Sequence, residues 1–161
     1  MDILKIGIFS SIFFKFANEL EGKYIAIHLP SESKQQLLTA VPPKFGIQVG
    51  KKKMPGNIFA DHVTLETSPG EDLLGLFGEG ERIPIEIVGE CYDDKAQAVI
   101  VSLPKFFDDY IRQYDRLPHI TVSTNQGTAP IYSNELILNG TNFTPVNLII
   151  PGHVKFLKGK G

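Results

Sequence analysis

Two short strings, His62-Val63-Thr64-Leu65 and His119-Ile120-Thr121-Val122, repeat one pattern of histidine, apolar residue, threonine, apolar residue. On an extended strand successive side chains alternate between faces. Each string therefore sends its histidine and threonine one way and its two apolar residues the other. Two such strands side by side would gather two imidazoles and two hydroxyls around a volume about the size of a phosphate, above a buried apolar layer. The pattern constrains fold and chemistry together, because these groups are the ones that general acid-base catalysis on a phosphodiester needs.

Each string also closes a longer frame of apolar strand, Leu-Pro, helix and His-x-Thr. The first copy runs Tyr24-Ile-Ala-Ile-His-Leu-Pro30, then a helical stretch from Ser31 to Ala40, then a long loop to Asp61-His62. The second runs Ala98-Val-Ile-Val-Ser-Leu-Pro104, then Lys105 to Tyr114, then Leu117-Pro118-His119. The extra length of the first copy falls between Val41 and Phe59. A period of about 70 residues that occurs twice is too long and too few for a solenoid, and predicts two related lobes about a pseudo-twofold axis.

Alternation and turn signals predict strands near Tyr24–Leu29, Gly46–Val49, Asp61–Thr67, Ile83–Tyr92, Ala96–Leu103, His119–Ser123 and Asn147–Phe156. Several short strands with two or three helices make this an α+β chain: two pseudo-symmetric lobes of antiparallel sheet, flanked by helices around a central cleft. Ser31 is the expected N-cap of the first helix. Asp93-Asp94 marks a hairpin turn, and Glu71 to Phe77 a short helix closed by Gly78 and Gly80. Phe106, Phe107 and Tyr110 have helical core spacing.

At 161 residues, 42% hydrophobic and 21% charged, residues 1–161 are expected to form one soluble domain, with motifs at 62–65 and 119–122. The single cysteine, Cys91, has no internal disulfide partner and is expected to pack as a small hydrophobe. That favours a reducing, intracellular and cytoplasmic setting. The apolar stretch from Ile6 to Phe16 is broken by Lys15 and falls short of the ~20 residues a membrane span needs. A net charge of −2 argues against a broad nucleic-acid surface, though not against a nucleic-acid end. Lys44 with Lys51, Lys52 and Lys53 is either a solvated loop or a guide for anionic substrate, and Lys53 is the substrate-contact candidate from that run.

The paired motifs, with the opening Tyr24-Ile-Ala-Ile-His-Leu-Pro30, resemble the two-histidine (2H) phosphoesterase superfamily over residues 21 to 156. Leu117-Pro-His-Ile-Thr-Val followed by Gly127-Thr-Ala-Pro-Ile-Tyr-Ser-Asn134 is similar to the cyclic phosphodiesterase module of fungal and plant-type tRNA ligases. The ligase and kinase modules of those proteins are not expected within these 161 residues, which carry no Gly-x-x-x-x-Gly-Lys-Ser/Thr loop.

The resemblance implies a 2′,3′-cyclic phosphodiesterase acting on RNA ends or small nucleotides. His62 would be the acid and His119 the base, and the product a 2′-phosphate. Thr64 and Thr121 can donate to non-bridging phosphate oxygens. Strand alternation places Glu66 beside His62 and Thr64, and Ser123 beside His119 and Thr121, as substrate contacts, with Tyr132 as a base-stacking candidate. His28 and His153 read as structural. No cluster has metal-ligand spacing, so no metal or other cofactor is expected, and no protein partner can be inferred. The alternatives are a phosphodiesterase for 2′-5′ oligonucleotides or cyclic dinucleotides, and a non-catalytic nucleotide-binding module.

Overall fold

In the computed structural model of the chain, which describes residues 23–66, 78–139 and 142–158, the first frame opens on β1 (Lys23–His28) and passes through Leu29-Pro30 into α1 (Ser31–Ala40). Ile25 and Ile27 alternate into the core. Burial of each such side chain is worth about 1.5–3 kcal/mol. The expected serine cap on α1 is not made. Pro30 takes the N-cap position with no side-chain hydrogen bond, while Ser33 turns inward and donates its hydroxyl to the Pro151 carbonyl at 2.7 Å. Proline's restricted φ, here −65°, already points the chain into the helix.

The insertion of the first copy is not all loop. β2 (Ile47–Val49) and β3 (Lys52–Met54) make a two-stranded ribbon, and β4 (Gly56–Ile58) leads toward the first motif. Two of these three-residue strands went unpredicted, because Gly- and Pro-rich segments carry little period-two pattern. Gly56 is required where it stands: a Cβ there would come within 2.0 Å of the Thr124 carbonyl oxygen, at a φ of +151°.

The first motif forms β5 (His62–Glu66), and β6 (Arg82–Tyr92) and β7 (Ala96–Ser102) make a long hairpin closed at Asp93. Asp93 Oδ1 accepts the backbone N–H groups of Lys95 at 2.8 Å and Ala96 at 2.9 Å, the hydrogen-bonded turn predicted there. α2 (Lys105–Arg112) follows Leu103-Pro104, and the second motif opens β8 (His119–Asn125). A 3-10 turn (Pro130–Tyr132), α3 (Ser133–Asn139) and β9 (Phe143–Lys158) complete the order. The expected helix over Glu71 to Phe77, Thr67 at the end of the first motif strand, and the apolar segment from Ile6 to Phe16 lie outside the described residues.

Among the described residues antiparallel strands dominate and helices are few. Seven strands form one sheet in the order β4-β8-β5-β1-β9-β6-β7, and β7 pairs back onto β8. Pairing therefore runs continuously around β8, β5, β1, β9, β6 and β7. β9 joins the two frames, lying along β6 from Phe143 to His153 and along β1 from His153 to Lys158.

The apolar face of these strands packs with Leu37 and Val41 at α1 and with Phe107, Tyr110 and Ile111 of α2 in one core cluster. Phe107 and Tyr110 are buried as their spacing predicts, whereas Phe106 is 48% exposed and stands edge-on to Phe107 at 5.3 Å between ring centroids. The inward stripe of α2 runs over Tyr110, Phe107 and Ile111, and at about 100° per residue Phe106 falls outside its edge, beyond Tyr110. Cys91 is buried in a second cluster with Ala96, Ala98, Leu136 and Ile137. Burial there pushes its thiol pKa up.

Candidate active site

β5 and β8 lie side by side, antiparallel, with Val63 opposite Ile120. Both residues are fully buried in the core. Carried one residue each way, that register sets His62 opposite Thr121 and Thr64 opposite His119, all four on the face away from the core. The two threonines and two imidazoles thus alternate around a square, each half-buried.

A bulge positions the first histidine. β4 runs along β8 with Ile58 opposite Ser123, after which Phe59 N–H donates to the Val122 carbonyl and Ala60 N–H to the Thr121 carbonyl, both at 2.8 Å. Ala60 takes a φ of +54° while completely buried. Left-handed backbone at a non-glycine residue costs about 1–2 kcal/mol. The kink moves the register forward by two residues before β5 resumes, and the Asp61 carbonyl is caught by Leu29 N–H at 2.7 Å.

His119 is oriented by its own backbone. Its Nδ1–H donates to the Leu117 carbonyl at 2.8 Å. A carbonyl can only accept, so the proton of the neutral ring sits on Nδ1 and Nε2 keeps a lone pair. Burial lowers the His119 pKa below 6.5; the Leu117 bond opposes the shift and Arg116 reinforces it. Burial also lowers the pKa of His62, opposed by Asp61 and reinforced by the nearby imidazoles of His28 and His119. Asp61 is itself paired with Lys34 at 2.9 Å.

Thr121 is held from the C-terminal side. Its Oγ1 lies 2.8 Å from Ser133 Oγ and 3.3 Å from the Pro130 carbonyl oxygen. Ser133, the fully buried first residue of α3, was not among the sequence candidates. A lone serine after a Pro-containing stretch gives no signal of this. Arg116 was missed for the same reason: its Nη2 donates to the Leu65 carbonyl at 3.1 Å and ties the approach to β8 onto β5.

The substrate-contact candidates are placed less uniformly. Ser123 is completely buried, donating to Gln97 Oε1 at 2.7 Å and accepting Phe45 N–H at 3.3 Å. Strand alternation had put it on the motif face. A register shift between β7 and β8 at Gln97 and Ala98 breaks the period-two count there, leaving Ser123 inside a polar network with Gln97 and Glu90. Lys53 is exposed on the separate β2–β3 ribbon, and the Lys44 ammonium rests 4.0 Å from the centroid of the Tyr92 ring. Tyr132 donates its hydroxyl to Asp93 Oδ2 at 2.5 Å, a bond that leads in pushing its pKa up to about 12. Lys95 stands 5.4 Å from the centroid of its ring. The backbone of Glu66 pairs with Ile25 at the end of β5. His28, read as structural, lies opposite His62 in the sheet, and burial followed by Lys155 lowers its pKa. Among the described residues no three His, Cys, Asp or Glu side chains are placed to hold a metal ion, and no helix is long and apolar enough to cross a membrane.

Residues 79–144 match the fungal tRNA ligase phosphodiesterase domain, a two-histidine phosphoesterase family. Its members are enzymes that act on phosphodiester bonds. The match spans less than half of the chain and contains the second motif, with His119 and Thr121, while His62 and Thr64 lie before it. No curated protein matches the chain. Among solved structures the chain is similar to TT0787 of Thermus thermophilus, at 14% identity and a TM-score of 0.42, over 86% of this chain and 99% of that one.

Proposed function

We propose that this chain is a metal-independent 2′,3′-cyclic phosphodiesterase that opens cyclic phosphates at RNA ends or on nucleotides to a 2′-phosphate. In this reading residues 1–161 are one two-histidine phosphoesterase-like domain with two pseudo-symmetric lobes. The observation that carries it is the pairing of Val63 with Ile120, which brings both motifs to one face. Exchanging the two copies maps that pair onto itself, as a pseudo-twofold axis between β5 and β8 requires. The match of residues 79–144 to a tRNA ligase phosphodiesterase domain supports both the reaction and an RNA substrate.

The chemistry follows from the square of side chains. His119, with its lone pair on Nε2, takes a proton from water as the water oxygen attacks phosphorus. The P–O3′ bond breaks in line with the attack, and His62 protonates the departing O3′, leaving the phosphate on O2′. Thr64 and Thr121 donate to the non-bridging oxygens as their charge grows. Proton transfer and charge stabilisation are then both supplied by side chains, so no metal is needed. Glu66 and Tyr132 stay in the proposal as contacts to the ribose or base.

Phosphorus NMR of the products from a 2′,3′-cyclic mononucleotide, run with and without exhaustive chelation, tests this. The expected result is a 2′-phosphate formed at the same rate in both. A predominant 3′-phosphate would overturn the direction, and activity lost to chelator and restored by one divalent ion would overturn metal independence.

A further inference from the structure

Beside His62 the sheet carries a line of side chains that the proposed reaction does not use. His28 lies opposite His62 across β1 and β5, His153 opposite His28 across β9 and β1, and Arg82 opposite His153 across β6 and β9. Residues directly opposite each other on paired strands project from the same face. The buried neighbours Val63, Ile27, Val154 and Ile83 mark the other face as the core. Arg82, His153, His28 and His62 therefore form one row across four adjacent strands, continuous with the motif square. At about 4.8 Å per strand the row reaches about 14 Å from His62.

None of the row is core. Arg82 is exposed, and His28 and His153 are partly exposed. Lys155, exposed on the same face of β9 two residues beyond His153, is close enough to act on His28. Asp61, the carboxylate that acts on His28 and His62, is paired with Lys34 at 2.9 Å, and Glu86 stands two face positions along β6 from Arg82. Beneath the row the strands are held tightly: a Cβ at Gly152 would come within 2.6 Å of Ile27 and 2.8 Å of Ile85, so β9 can lie between β1 and β6 only as glycine there. A chain of net charge −2 thus gathers cations and imidazole donors on one rigid line leading out of the site.

We infer that Arg82, His153 and His28 form a subsite for backbone phosphates of a single-stranded RNA whose terminal cyclic phosphate sits between His62 and His119. The inference rests on the two-histidine reading and narrows its substrate to an RNA end in preference to a free mononucleotide. Guanidinium and imidazole N–H groups suit phosphate oxygens. The row is also longer than one phosphate needs.

The test compares the full chain with an Arg82→Ala/His153→Gln double variant on two substrates: an oligoribonucleotide ending in a 2′,3′-cyclic phosphate, and a 2′,3′-cyclic mononucleotide. Expected is a loss of about tenfold in kcat/KM on the oligonucleotide, a shallower salt dependence, and unchanged turnover of the mononucleotide. Equal loss on both substrates, or on neither, overturns the subsite. Fluorescence anisotropy with the same oligonucleotide ending in a 3′-phosphate separates the two readings. If wild type turns over neither substrate, the phosphodiesterase reading fails. The subsite then stands if the variant binds this RNA about tenfold more weakly with a shallower salt dependence, and falls if it does not. Should the double variant fail to fold, Arg82→Gln alone, at an exposed position, is measured on the same scale with the same outcomes.

Discussion

His119 donates its Nδ1–H to the carbonyl of Leu117, two residues earlier in its own chain, at 2.8 Å. The intervening Pro118 is buried and its carbonyl accepts Val101 N–H at 3.0 Å, so the segment that presents this carbonyl is anchored to β7. One short backbone element thereby selects the tautomer that leaves Nε2 unprotonated. His62 sits on the other motif strand, and burial lowers the pKa of both imidazoles.

Loss of either imidazole should stop turnover. Proton removal and proton delivery belong to one step, so His62→Ala and His119→Ala are each expected to lower kcat by about 10²-fold or more with the fold intact. Circular dichroism and steady-state rates on the purified variants check this. A folded variant that keeps more than half of the wild-type rate would remove that histidine from the mechanism.

The threonines should differ in what supports them. Thr64→Val and Thr121→Val keep shape and delete a donor, for an expected loss of about 10- to 1000-fold in kcat/KM. Ser133→Ala removes the hydroxyl beside Thr121 and leaves the donor in place, so a smaller loss is expected, confined to the Thr121 side. If Ser133→Ala is additive with Thr121→Val, the two hydroxyls act separately and the coupling is absent.

The pH profile of kcat/KM reports the free enzyme. Its rate should rise as His119 loses its proton and fall as His62 loses its own. Both pKa values are lowered from 6.5, so the optimum is expected below 6.5. The single negative charge of a bound cyclic phosphodiester favours imidazolium and moves the kcat optimum upward. The same shifts act on stability. The unfolded chain binds protons at these sites first as the pH falls through 6.5, so melting temperature should decline below that value. A kcat/KM optimum on the alkaline side would assign at least one limb to another group.

One substitution is expected to stabilise. Among the described residues Thr124 Oγ1 is buried without a hydrogen-bond partner. Thr124→Val keeps the volume and removes an unsatisfied group whose burial costs about 1–3 kcal/mol. A rise in Tm of about 2–4 °C per kcal/mol recovered follows for a chain of this size. A lower Tm, measured by calorimetry, would mean that the hydroxyl is bonded in solution.

Much of the fold was legible because it is local. Period-two burial marked β1 through Ile25 and Ile27, β6 through its alternating isoleucines and β8 through Ile120 and Val122, and Leu-Pro marked the start of both α1 and α2. The repeated His-x-Thr strings named the four residues that the structure gathers. Other features depended on which strands become neighbours and in what register, and a linear pattern does not encode that. The bulge at Ala60 and the shift at Gln97 change which face a residue occupies, taking Ser123 out of the site that alternation assigned to it. Ser133 reaches Thr121, and His153 joins His28 and His62, only because α3 and β9 return from far along the chain. The sequence alone determined the chemistry carried on each strand, because side-chain direction is a property of the local backbone. The tertiary structure decided which of those side chains meet, because register is settled by packing across the whole sheet.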